Sequence, residues 1–152
     1  MDIPTKKLSQ KDYESIYSRV PRPCVELVIK TKKGILFTKR SFGPWKGQWH
    51  IPGGTIFYGE SLEEAVKKVA KRELNIKVKI VKNIGKIEYL KDLKEKNHAI
   101  SLVFLVNIIS GEIKLDKQAT DYIFSKKIPL NTIKEQREFL RDFLKKEDNE
   151  NF

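Results

Sequence analysis

Apolar residues recur along this chain at two spacings. Ser9 to Val20 sets Tyr13, Ile16 and Tyr17 at helical intervals behind a capping serine, which predicts a short amphipathic helix stopped by Pro21 and Pro23. Cys24 to Ile29 and Ile35 to Arg40 read as strands joined by the turn Lys30 to Gly34, a hairpin in which glycine supplies the permissive backbone. A loop follows from Ser41 to Gln48 with Gly43, Pro44 and Gly47, and then an extended piece, Trp49 to Pro52, ends at Gly53-Gly54. Ser61 to Leu74 is the clearest helix: Ser61 caps it, Glu64 completes a capping box, and Asn75 suits the turn that ends it. Ile76 to Leu90, His98 to Ile109 and Tyr122 to Phe124 are strand-like. Asn131 to Leu144 is a closing amphipathic helix carrying Ile133, Phe139, Leu140 and Phe143, and Lys145 to Phe152 reads as a disordered, solvated tail. This order predicts a mixed sheet covered by helices on its faces.

Composition narrows the class. A length of 152 residues with 39% hydrophobic and 34% charged residues fits one folded domain, 1–152, with its own core. Lys and Arg number 31 against 20 Asp and Glu, a net charge of +11 that favours anionic partners, phosphate compounds first among them. The lone Cys24 excludes an internal disulfide, and His50 and His98 are too few for a zinc cluster. Met1 to Gln10 lacks a signal-peptide pattern, and the longest apolar stretch, Ile100 to Ile109, falls far short of the ~20 residues a spanning helix needs. The expectation is a cytoplasmic protein with no membrane partner. Lys30 to Lys33 and Lys126-Lys127 lack interleaved aromatics, so they read as solvated surface and not as a nucleic-acid footprint. The abundance of Lys, Glu and Ile also matches heat-tolerant composition, which needs no partner.

The chemistry concentrates on the Ser61 to Leu74 helix. Positions 62, 66, 69 and 73 share a face, so the stripe of Leu62, Ala65, Val66 and Val69 aims Glu73 inward. An unpaired buried carboxylate costs several kcal/mol, so Glu73 calls for a cation, with Mg²⁺ holding a phosphate as the economical choice. The alternative is a glutamate at the stripe's edge that reaches water.

Gly54, five residues, Glu60 and then a helix with Glu73 resemble the Nudix box, G-x5-E-x7-R-E-U-x-E-E-x-G-U with U apolar. Lys39-Arg40, the run Gly47 to Gly54 and Gln118-Ala119-Thr120-Asp121-Tyr122 look like the GDP-mannose mannosyl hydrolase branch of that superfamily, over about Val20 to Phe143. The resemblance implies an α/β/α sandwich with a mixed sheet, a homodimer, and Mg²⁺-dependent hydrolysis of a nucleoside diphosphate sugar. Water would attack the anomeric carbon and nucleoside diphosphate would leave. It implies metal ligands at the Gly53 carbonyl, Glu73 and Gln118, with Arg40 supporting the leaving diphosphate and Glu26 as an inward acid on the first strand. Gly54 and Trp45 complete the expected substrate contacts.

Departures from the pattern are specific. Lys68, Val69, Arg72 and Asn75 replace the box Arg, a Glu, the first Glu of the pair and the Gly. Ala119 stands where the branch carries its general-base histidine, and Thr55 where it carries an arginine near the phosphates. With that base missing, His98 is the catalytic candidate for proton transfer, against the reading that it is an edge-strand surface residue. His50 faces away from Trp49 and Ile51 and receives no role. Phe42, Trp45 and Trp49 could stack a nucleobase, or pack their loop onto the sheet. Rival functions are a Nudix pyrophosphohydrolase cutting at phosphorus and a catalytically silent module binding nucleotide or RNA.

Overall fold

A computed structural model of the chain describes residues 7–43, 45–92 and 97–150. Met1 to Lys6, Pro44 of the expected loop, and Asn151 and Phe152 of the expected tail lie outside them. In chain order the elements are α1 (Gln10–Tyr17), β1 (Arg22–Thr31), β2 (Gly34–Arg40), β3 (Trp49–His50) and β4 (Gly53–Thr55). They continue with α2 (Leu62–Leu74), β5 (Ile76–Asp92), β6 (Asn97–Gly111), β7 (Ala119–Ser125) and α3 (Lys134–Glu150). The seven strands form one mixed sheet, ordered β3-β2-β1-β6-β5, with β4 pairing β1 and β7 pairing β2. Only β1 and β6 run parallel among the named pairs.

Strand β1 is buried without a break from Cys24 to Ile29 because both faces of the sheet are covered. Val25, Leu27 and Ile29 pack with Val66, Val69 and Leu74 of α2. Cys24 and Val28 face the other way, into a cluster holding Leu140 and Phe143 of α3. The hairpin closes with Thr31 opposite Gly34, whose φ of +113° is open to glycine; a Cβ there would also lie 2.3 Å from the Ser125 carbonyl carbon.

Helix α2 begins where the capping box places it. Ser61 Oγ accepts from the Glu64 N–H, the Glu64 carboxylate accepts from the Ser61 N–H, and Asn75 ends the helix in the left-handed conformation at φ 58°. Leu62 departs from the expected stripe: at the first turn it lies beyond the sheet and is exposed. Helix α3 departs at both ends. Trp49 donates to the Asn131 carbonyl and accepts from Ile133, so this segment bridges β3 and the helix starts at Lys134. It then runs past Leu144 to Glu150 where a disordered tail was expected, with Leu144 packed on the core and Glu147 paired with Lys30. Strand β3 stops at His50 because the Ile51 N–H is taken by Gln136 and Pro52 has none to give. Strand β7 is longer than Tyr122 to Phe124 because β2 supplies a full partner edge.

Candidate functional site

The even-numbered residues at the start of β1, Arg22, Cys24 and Glu26, line a cavity of about 810 Å³. It is closed by α1, by β4 and the Phe57-Tyr58 turn, by the end of α2 and by the first turn of α3. Glu26, Arg40, Trp45, Gly53, Gly54, Glu73 and Gln118 all line it, so residues spread along most of the chain meet there as expected. His98 does not. Ala99 and Ser101 of β6 line the cavity, and strand alternation turns His98 to the opposite side. Its expected catalytic role is withdrawn on that ground.

Glu73 sits in the last turn of α2, aimed inward as the helical stripe requires, and is buried. Burial pushes its pKa up to about 7, against the lowering effects of the neighbouring Arg72 charge and the Gly53 backbone amide. Asp116, close by, adds a like charge that raises it further. Arg72 Nη2 stands 3.5 Å from Glu73 Oε1.

Glu26 is held on one oxygen only. Tyr89 Oη donates to its Oε1 at 2.6 Å and Gln136 Nε2 donates to the same atom at 2.8 Å. Gln136 is oriented in turn by the Ile51 N–H, which donates to its Oε1 at 2.8 Å. Glu26 Oε2 is buried and makes no hydrogen bond among the described residues. Burial raises this carboxyl to about 7, and Tyr89, Gln136, Ser101 and the Arg22 charge pull it back only in part. Close approach dictates Gly53, where a Cβ would lie 2.7 Å from Glu26 Cγ and 2.9 Å from the Val25 carbonyl oxygen; at Gly54 a Cβ would meet the mobile end of Arg72, Nη2 at 2.6 Å.

Opposing these acids are guanidinium groups without acidic partners. Arg40 is half-buried over the Trp45 ring at 5.8 Å, and its Nε is buried without a hydrogen bond among the described residues. Burial lowers its pKa, Glu73 raises it, and the like charge of Arg22 lowers it again. Arg22, which the sequence reading passed over, donates to Thr55 Oγ1 at 2.9 Å and to Cys24 Sγ at 2.9 Å, neither of them charged. Neither arginine forms an ion pair among the described residues. Neighbouring cations outside any direct ion pair are suited to a polyanion, and guanidinium forks match phosphate oxygens. The signal that could have found Arg22 was Thr55 itself, because a short hydroxyl at that place leaves room for an arginine reaching across from β1.

Trp45 takes φ 65°, a left-handed backbone unusual for a tryptophan, and its ring lies 6.1 Å from that of Tyr89. This packs it between Arg40 and Tyr89 at the cavity wall. Glu60 and Lys68 pair at 2.6 Å, and Lys68 also donates to the Thr55 carbonyl while Glu60 accepts the Phe57 N–H. They tie the turn between β4 and α2 to the helix. His50 is buried and structural: the Ile51 carbonyl can only accept, so Nδ1 carries the proton and Nε2 accepts from Thr38 Oγ1. Burial lowers its pKa to about 4.

The donor set was tested for a divalent ion. Among the described residues no three His, Cys, Asp or Glu side chains cluster to hold one unaided. Glu73, the Gln118 side chain and the Gly53 backbone bring hard oxygen donors to one cavity. They fit an ion such as Mg²⁺ that completes its shell with water and bound phosphate. No helix among the described residues is long and apolar enough to cross a membrane.

A mixed sheet with helices on both faces and an arginine-lined cavity at one end of its central strands defines an α/β/α protein with a site suited to phosphate. Residues 20–146 match the NUDIX domain, and the chain belongs to that family. It is 32% identical over 122 residues, 77% of this chain and 78% of the relative, to the low-salt glycan biosynthesis protein Agl8 of Haloferax volcanii. It is 34% identical over 104 residues, 68% of this chain and 61% of the relative, to the ADP-ribose pyrophosphatase of Methanocaldococcus jannaschii. Its fold is like that of a MutT NUDIX hydrolase from Burkholderia pseudomallei, with a TM-score of 0.74 at 24% identity over 81% of this chain and 98% of that one.

Proposed function

We propose that this protein hydrolyses a nucleoside diphosphate sugar of the GDP-mannose type, with water attacking the anomeric carbon and nucleoside diphosphate leaving. The observation that carries the reading is the meeting, in one cavity, of Arg22 and Arg40, which form no direct ion pair among the described residues, with the single buried helix acid Glu73. Breaking a sugar–oxygen bond places new negative charge on the departing diphosphate, and groups fixed where that charge develops lower the barrier. Cutting at phosphorus, as the superfamily pattern does it, draws on several helix acids. Here Val69 and Arg72 stand at two of those places.

Arg40, braced by Trp45, grips the leaving diphosphate with its fork, and Arg22 reaches it from β1. The bare Gly54 lets phosphate come close to the backbone. Glu26 Oε2, the orphan acceptor, takes a hydrogen bond from a substrate hydroxyl. Magnesium held by Glu73, Gln118 and the Gly53 backbone would supply further neutralisation of the diphosphate charge. Ala119, opposite Arg40 across β2 and β7, cannot accept a proton, so turnover lacks a base there and runs about 100- to 10,000-fold below a base-assisted rate. By family likeness we also propose one cytoplasmic domain over 1–152, acting as a homodimer.

The relative named as an ADP-ribose pyrophosphatase favours a second reading, cleavage at phosphorus. A panel of nucleotide sugars and nucleoside triphosphates with Mg²⁺ in oxygen-18 water separates the two. Label in the released sugar is the expected result; label in phosphate overturns attack at carbon. Tight nucleotide binding with no turnover under any divalent ion would instead mean a silent module.

A further inference from the structure

Arg72 does more at the end of α2 than fill the place of an acid. Its Nη2 lies against Glu73 Oε1, and the 2.6 Å from the same nitrogen to a Cβ on Gly54 sets the guanidinium directly over that glycine. Val69 Cγ2, 3.2 Å from the same Cβ position, packs beneath it from the core. The side chain is 36% exposed, so it is partly covered, and it lines the cavity. Among the described residues it is the one ion-pair partner of Glu73.

We infer that Arg72 is a resident cation of the site, tethered where it competes with a divalent ion for Glu73 and limits the cavity to a single ion. The inference rests on the reading of Glu73 as a metal ligand. A guanidinium held on the same carboxylate repels a dication, at a cost on the order of a factor of ten in affinity even with water-like screening. The ion therefore binds the free protein weakly. Bound diphosphate reverses the balance, because its oxygens give Arg72 a second anion and the ion further ligands, so each tightens the other's binding.

The test uses the full-length protein and MnCl₂ alone, with free Mn²⁺ counted by electron paramagnetic resonance. Wild type should bind at most one ion, weakly. Arg72→Ala should bind it about tenfold more tightly, Arg72→Lys as wild type does, and Arg72→Glu should gain a second ion. Equal or weaker binding by Arg72→Ala, while Glu73→Gln weakens it, would overturn the role of Arg72 and leave Glu73 as a ligand. Binding of two or more ions by wild type would do the same. Unchanged binding in Glu73→Gln would overturn both.

Discussion

Glu26 presents a charge that its neighbours accommodate on one side only. Tyr89 and Gln136 both donate to Oε1, Oε2 is buried without a hydrogen bond among the described residues, and burial of the carboxyl raises its pKa to about 7. An acid with a folded pKa above its unfolded 4.5 keeps a proton that the unfolded chain has released, so its contribution to stability falls as pH rises from about 4.5 to about 7. Without divalent ions, Glu26→Gln should therefore be more stable than wild type at pH 8, by about 2 to 3 kcal/mol in urea unfolding, with the gap closing toward pH 5. A gap independent of pH would mean that burial of this charge is not its cause. At this scale the sequence revealed the acids and Arg40 but not their surroundings. Tyr89 and Gln136 stand 63 and 110 residues from Glu26 and carry no motif, so their convergence is set by tertiary packing. His98 was misread for the opposite reason: its residue type suited the chemistry, but one step of strand alternation took it off the cavity face.

Helix α2 is the element whose form was most legible, because everything that ends it is local. Ser61, Glu64 and Asn75 satisfy the terminal backbone groups from within a few residues, and both ends fall where the sequence puts them. Ser61→Ala should lower stability by about 1 kcal/mol, read as a shift in urea midpoint with unchanged slope. A loss below a few tenths would show that the Glu60–Lys68 tie and packing hold this terminus without the cap. Helix α3 shows where local reading stops. Asn131 and Thr132 look like helix starters, yet Trp49 recruits their backbone into a bridge, and Glu147 finds Lys30 across the fold to hold the last turns.

For the whole molecule, the alternation of β1 was decisive: an unbroken buried strand requires cover on both faces, and α2 and α3 provide it. That topology brings the end of α2, the glycine turn and the start of β1 to one cavity, where the net charge of +11 acquires a local meaning in Arg22 and Arg40. Overall charge favoured an anionic ligand without locating its site, because among the described residues Lys7 is the one lysine that lines the cavity. In the proposed reaction Glu73 is the acid that organises cation and diphosphate in that cavity. Release of nucleoside diphosphate from a nucleotide sugar, measured for wild type and Glu73→Gln at saturating Mg²⁺, tests this most directly. The account predicts a fall in kcat of about 100-fold or more for Glu73→Gln, a loss of about 3 kcal/mol of transition-state stabilisation. Equal rates in the two proteins would contradict it.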